Sequence, residues 1–331
     1  MSESRSAAED RSSDVAVLDR FPLATLPTPL VRARRLEAHL GGPPVYLKRD
    51  DLTGFAGAGH KARPLEFLVG AALAGGCDVF VTGGGPGSNF CSAAAAAASA
   101  AGIDCELVIY GDEPAHKHPN LALALACGAN VRYTGDPDRS RVDAAVVEVA
   151  AELGNAGRRP YPVPRGGAIA VGTVGMVVAG EELAAQLDEA TVAPEAVVIA
   201  SGSGTTCAGL AVGTAVAGGR WRVIGASVSR PVDRANEEIE ALAERCGSLL
   251  GVEAGPFELI DARGPGFGMV SEAGEKAAAI ALRTEGLLLD PVYTAKAFAV
   301  VLDLIDRGST GPIVFWHTGG LLSAAAHLEA T

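Results

Sequence analysis

The chain has 331 residues, 48% apolar and 20% charged: enough to bury a sizeable core, and more than one core usually holds, so two lobes with a cleft between them are expected. Its formal net charge of −12 repels phosphate backbones and leaves no basic stripe, which excludes a nucleic-acid binder. Cysteines at 77, 91, 105, 127, 207 and 246 form no CxxC pair, which argues against a zinc knuckle or disulfide framework and for reduced thiols in a cytoplasm.

In chain order, Met1–Asp14 has almost nothing to bury and is expected to be a disordered tail. It lacks the apolar region of a secretory signal. Short runs rich in Val and Ile then alternate with longer helical patterns, the mark of an α/β chain with parallel sheets. Strands are expected at Val45–Lys48, Val79–Thr82, Glu106–Tyr110, Asn130–Tyr133, Ala196–Ala200, Arg222–Ser227 and Ile313–His317. Helices are expected at Pro64–Ala74, Ser92–Ala101, Leu121–Cys127, Ser140–Leu153, Gly172–Leu187, Ala208–Ala217, Glu272–Glu285 and Tyr293–Arg307. The longest low-polarity stretch, Ala93–Ile103, is about half of the roughly 20 residues a membrane span needs, so no span is expected. Gly76 to Tyr133 reads as a small lobe, Gly166 onward as a second sheet, and the Pro- and Gly-rich stretch Arg158–Gly167 as the crossing between them.

Of five lysines, at 48, 61, 117, 276 and 296, Lys61 stands apart, because it follows the glycine-rich loop Gly54–His60 and opens a helix. A helix N-terminus and desolvation both disfavour the ammonium form, which makes an amine a better nucleophile. Two further loops run from a strand into a helix. SGSGTTCAG at 201–209 can turn successive backbone N–H groups on an anion, although Cys207 replaces the third glycine of a strict GxGxxG and no Walker lysine is present. GGGPGSN at 83–89 offers a second anion site, with Ser88 and Asn89 to cap the helix or hold a ligand. Two anion sites and one poised lysine match the phosphate, carboxylate and imine that an amino acid on pyridoxal phosphate presents. Either loop alone is also compatible with an ordinary strand–helix turn.

Near the C-terminus, Tyr293 and Thr294 begin a helix, and Thr294 could hold a pyridine nitrogen without forcing its protonation. Trp316-His-Thr-Gly-Gly320 ends a strand at the sheet edge where α/β folds keep their ligands; Asp290 and Thr318 read equally as caps or site residues. His116 and His118 form an HxH pair without supporting ligands, so no metal is expected. Neither Ser88 nor Ser203 sits in a GxSxG elbow. His60 reads either as a general acid or base or as a packing residue.

The segments KRDDLTG (48–54), GHKARPLEFL (59–68), Ser88-Asn89, SGSGTTCAGL (201–210), LLDPVYTAKA (288–297) and HTGG (317–320) resemble, in order and over nearly the whole chain, the D-cysteine desulfhydrase and 1-aminocyclopropane-1-carboxylate deaminase family of pyridoxal-phosphate enzymes. The resemblance implies a two-domain tryptophan synthase β-like fold (fold type II), each domain an open, mainly parallel sheet flanked by helices. It implies a large cofactor domain from 15–62 and 166–331, a small mobile domain from 63–165, and a homodimer. It implies Lys61 as the Schiff-base and proton-transfer lysine, with Ser88 and Asn89 at the substrate carboxylate and the cofactor ring oxygen. Gly202, Gly204, Thr205, Thr206, Cys207, Ala208 and Gly209 would surround the phosphate, with Thr294 near the pyridine nitrogen and Thr318 beside the cofactor. Phe90, Phe267 and Tyr293 would face a small amino acid.

Departures from the family pattern fall in the phosphate loop and, mostly, on the substrate side. His60 replaces the Asn of GNK, Gly87 and Phe90 alter QSNH, and Thr205 and Cys207 stand where Gly and His are common. Phe267 lacks the hydroxyl of the tyrosine linked with cyclopropane opening, so ring opening is not expected. The leading expectation is α,β-elimination giving a 2-oxo acid and ammonia. A replacement or cyclising enzyme and a non-catalytic pyridoxal-phosphate-binding relative stay open as alternatives.

Overall fold

The computed structural model describes residues 18–330, so the expected N-terminal tail lies outside the described residues. In chain order the elements are β1 (Leu30–Arg32), α1 (Arg34–Leu40), β2 (Val45–Arg49), α2 (Ala62–Ala74), β3 (Val79–Gly84), α3 (Asn89–Ala101), β4 (Asp104–Ile109), α4 (Pro119–Ala126), β5 (Asn130–Tyr133), α5 (Val142–Asn155), β6 (Pro160–Pro162), α6 (Ala170–Ala190), β7 (Ala196–Ser201), α7 (Thr205–Val216), β8 (Arg222–Ser227), α8 (Val232–Leu250), β9 (Phe257–Asp261), α9 (Glu272–Glu285), α10 (Thr294–Asp306), β10 (Ile313–His317) and α11 (Leu321–Ala330). All seven expected strands and all eight expected helices are present; β1, β6, β9, α1, α8 and α11 are additional.

The strands form two sheets, a six-stranded one in the order β1-β2-β10-β7-β8-β9 and a four-stranded one in the order β5-β4-β3-β6. Every pairing is parallel except β1 with β2. Parallel strands are buried on both faces, and the larger sheet obeys this. Val197, Ile199, Val223, Val314 and Trp316 point into one core with α6, α7 and α8. Alternate residues Val198, Ile224, Ile313 and Phe315 point into a second core with α9 and α10. The smaller sheet is likewise packed by α2, α3 and α4 on one face and by α5 on the other.

Helix α2 serves both halves. Leu65, Leu68 and Val69 enter the core of the smaller sheet, while Phe67 packs with Val174 and Val177 of α6 in the core of the larger. Its first turn is anchored by charge: Arg63 donates to Asp50 through Nε and Nη2, each at 2.8 Å, and to Glu182 at 3.0 and 2.9 Å. Thr28 donates to Asp50 at 2.7 Å, and Lys48 closes the network on Glu182 and on the Thr28 carbonyl. Burial pushes the Asp50 carboxyl upward, but the Arg63 charge overcomes this and holds it below its usual range. The network therefore fixes the backbone two residues from Lys61. Among the described residues, no helix is long and apolar enough to cross a membrane.

Candidate active site

A cleft of about 530 Å³ lies at the C-terminal ends of the parallel strands, where chain leaving β3, β7, β8 and β10 supplies Gly84, Gly202, Ser229 and Thr318 to its wall. Lys61, Ser88, Asn89, Phe90, Gly202, Thr206, Phe267, Tyr293 and Thr318 all line it. Nine of the expected site residues are thus brought together from distant parts of the chain.

Lys61 is the one lysine in that wall. Lys48 and Lys296 are buried with their ammonium groups on protein acceptors, and Lys276 pairs with Glu272 on the surface. Burial lowers the Lys61 pKa to about 8, so about a tenth of the amine is unprotonated at pH 7, far more than for an ordinary lysine. Its Nζ lies 6.0 Å from the centre of the Phe90 ring. The neighbouring His60 cannot act as a charged acid. Burial, reinforced by the Lys61 charge, lowers its pKa to about 3, and its Nδ1 lies 2.8 Å from the Thr318 carbonyl oxygen. That contact makes Nδ1 the protonated nitrogen and His60 a positioning residue for the β10 turn. Gly59 permits the approach: its φ is +57°, and a Cβ there would fall 2.2 Å from the Thr318 oxygen.

Two turns flank the lysine. In the first, Ser88 caps α3, its Oγ accepting the Cys91 N–H at 3.2 Å. The Asn89 side-chain oxygen accepts from Asn120 Nδ2 at 2.8 Å, leaving the Asn89 amide nitrogen as the donor available to a ligand. In the second, Gly204 adopts φ +94° and hands the chain into α7. By helix geometry the amides of Thr205, Thr206 and Cys207 have no partner within the helix, whereas the Ala208 N–H is already bound to the Gly204 carbonyl at 2.9 Å. The Gly202 carbonyl is turned to the Ser229 hydroxyl and Arg230, so it does not present an acceptor to an anion. A phosphate therefore fits residues 202–207, through backbone rather than side chains.

The side chains of the other expected residues do not reach the cleft surface. Cys207 and Ala208 are fully buried in the core, and burial pushes the Cys207 thiol up to about 12. Gly209 is a helix contact, since a Cβ there would meet Met176 of α6 at 2.5 Å. Gly204 backs onto Ile239, and the Thr205 hydroxyl donates to the Gly166 carbonyl at 3.1 Å. Thr294 lies behind the wall, its hydroxyl donating to Asp290 Oδ2 at 2.7 Å. Asp290 itself lines the cleft and also caps α10, accepting from the amides of Val292, Tyr293 and Thr294.

Tyr293 covers Gly202, where a Cβ would sit 3.0 Å from its Cε1, and meets Phe267 edge-on with centroids 6.2 Å apart. Burial raises the Tyr293 pKa, so its phenol stays protonated. His118 is a cap for α4, with Nδ1 accepting the Asn120 N–H at 3.1 Å. Arg139, Arg165 and Arg230 also line the cleft; none was singled out from the sequence, because each comes from a different segment without a motif of its own. Asn120 likewise carries no local signal.

A family model described as "Pyridoxal-phosphate dependent enzyme" matches residues 22–319. The chain belongs to this family. It is 36% identical to a D-cysteine desulfhydrase of Yersinia enterocolitica, over 92% of this chain and 95% of that protein. It is 35% identical to a 1-aminocyclopropane-1-carboxylate deaminase of Burkholderia cenocepacia, over 93% and 96%. A crystal structure of a homologue of 1-aminocyclopropane-1-carboxylate deaminase matches with a TM-score of 0.89 at 33% identity, covering 97% of this chain and 98% of that one. The fold is accordingly the tryptophan synthase β-like one, fold type II, and the chain is a pyridoxal-phosphate-dependent enzyme of the lyase and deaminase group. The lysine, the two turns and the cleft between them suit that cofactor.

Proposed function

We propose that this enzyme removes the amino group of a small amino acid by α,β-elimination, yielding a 2-oxo acid and ammonia. The observation that carries this reading is the position of Lys61, a cleft-lining lysine of lowered pKa beside two turns built for anions. When bound, the cofactor supplies an electron sink that acidifies the α-carbon of the attached amino acid. Lys61 would hold the cofactor and then move a proton at that carbon. The amides of Thr205, Thr206 and Cys207 would hold the phosphate. The Ser88 turn and the Asn89 amide nitrogen would orient the substrate carboxylate. The protonated Tyr293 phenol, covering the site, would act as a donor toward the departing group rather than as a base. Phe90 and Phe267 close the apolar side and exclude water.

This reading also includes movement of residues 63–165 against the rest, a homodimer, and a cytoplasmic setting in keeping with six unpaired cysteines. Light scattering of the holoenzyme tests the dimer. The central test is borohydride reduction followed by peptide mass analysis, together with a panel of D- and L-amino acids assayed for 2-oxo acid. Label on residue 61 and release of 2-oxo acid are expected; label elsewhere, or no turnover of any member, would refute the assignment.

A further inference from the structure

The charge balance of the cleft points to the substrate's side chain. Arg139, Arg165 and Arg230 all line it, in a protein of net charge −12. Arg165 pairs with Asp143 at 2.7 Å, and Arg230 with Glu238 at 3.1 Å. Arg139 makes no ion pair among the described residues; it donates to the Ser229 carbonyl at 2.6 Å and stacks on Phe267 with 4.3 Å to the ring centre. Burial lowers the Arg230 pKa, Glu238 opposes this, and the charges of Arg165 and Arg139 lower it further, so both other guanidinium groups act on Arg230. Arg165 and Arg230 have carboxylates of their own, so the uncompensated charge in the cleft is that of Arg139, which is unfavourable beside two other guanidinium groups unless an anion joins it.

The cofactor phosphate is not the obvious anion. Its turn offers backbone amides, and Arg230 reaches that turn only through the Gly202 carbonyl, which faces away from an anion. Arg139 instead lies on Phe267, whose ring meets Tyr293 on the substrate side. With the Ser88–Asn89 turn assigned to the α-carboxylate, the surplus positive charge is left for a third anionic group. We infer that the substrate is an amino acid whose side chain carries its own anion, a carboxylate, sulfonate, sulfate or phosphate, received by Arg139 with support from Arg165 and Arg230. This rests on the elimination reading above and narrows its substrate class.

The test compares the neutral β-chloroalanine with the anionic serine O-sulfate, both enantiomers, on holoenzyme. In serine O-sulfate elimination Cα loses its proton, the Cβ–O bond breaks with its electron pair leaving on sulfate, and water takes the place of nitrogen, giving pyruvate, ammonia and sulfate. Arg139→Gln should lower the ratio of kcat/KM for serine O-sulfate to that for β-chloroalanine by about tenfold or more, mainly through KM, and Arg139→Lys should restore part of it. An unchanged ratio overturns the inference. So does a matching loss of pyridoxal-phosphate affinity, which would assign the arginine to the cofactor. If wild-type holoenzyme eliminates neither compound, the elimination reading fails on its own. The anion site is then judged by the cofactor absorbance change on adding aspartate or alanine: it stands if aspartate binds more tightly and Arg139→Gln removes that preference, and falls if the two bind alike.

Discussion

Asn120 holds Asn89 in place: its Nδ2 donates to the Asn89 side-chain oxygen at 2.8 Å and to the Gly87 carbonyl at 3.0 Å, while its own oxygen accepts from Ser92 at 3.3 Å. These three bonds fix the turn that carries Ser88, and Nδ2 also lies 3.3 Å from the Ser323 hydroxyl of α11. Because Asn120 is buried and lies in the first turn of α4, it couples that helix to the Ser88–Asn89 turn, which is proposed to receive the substrate carboxylate. Asn120→Asp keeps the size but replaces the donor with an acceptor opposite the Asn89 oxygen. Losing one buried hydrogen bond costs about 1–3 kcal/mol, so kcat/KM should fall by roughly tenfold, mostly through KM, with cofactor content retained. An unchanged KM would remove Asn120 from the site.

The lowered pKa of Lys61 gives a pH signature. The unprotonated amine is the nucleophile toward an aldehyde, and burial moves its pKa from 10.5 to about 8. Cofactor uptake by the apoprotein should therefore speed up as pH rises and level off above about 8, where the amine is already neutral. His60, with its pKa near 3, contributes no step in this range. Stopped-flow absorbance after mixing with pyridoxal phosphate measures the profile. A rate still climbing steeply at pH 10 would mean an ordinary solvated lysine.

What was legible in advance follows from the range of the interactions involved. Strands β7, β8 and β10 are short apolar runs centred on Val and Ile and almost wholly buried, and Lys61 and the loops at 83–89 and 201–209 follow from residues close together in sequence. Strand β6 was hidden because Pro160-Tyr-Pro162 reads as linker; it forms only by pairing in parallel with β3. Helix α8 did carry a signal, with Ala235, Ile239, Leu242, Cys246 and Leu250 recurring along one buried face amid charged residues. Arg139, Arg165, Arg230 and Asn120 are different, since only tertiary structure brings these separate segments to one cleft.

The Arg63–Asp50 pair should dominate the stability of the site. Both side chains are buried, and removing the guanidinium leaves the carboxylates of Asp50 and Glu182 without their main partner. Breaking such a pair from one side costs about 3–5 kcal/mol. Arg63→Met should show this loss in urea denaturation of the apoprotein, and in a parallel titration of the holoenzyme cofactor should be released at lower urea than from the wild type, because Lys61 lies two residues away. A change below about 1 kcal/mol would indicate that the network is not a structural anchor.

Phe267 sets the last expectation, because it is a cleft-lining position proposed to face the substrate and it lacks a hydroxyl. Its ring is held between Arg139, 4.3 Å from its centre, and the edge of Tyr293. Without that hydroxyl the wild-type enzyme should release almost no 2-oxobutanoate from 1-aminocyclopropane-1-carboxylate, a compound that also offers no second anion to Arg139. Phe267→Tyr adds a donor at the ring tip with little change in packing and should make ring opening measurable while elimination persists. Coupled detection of 2-oxobutanoate in both proteins decides the matter. If the wild type opened the ring within about tenfold of its best elimination rate, a gap of roughly 1.4 kcal/mol in barrier height, the hydroxyl would not be what the reaction requires. In that event the arginines would have to be accommodating a substrate with nothing to pair with them.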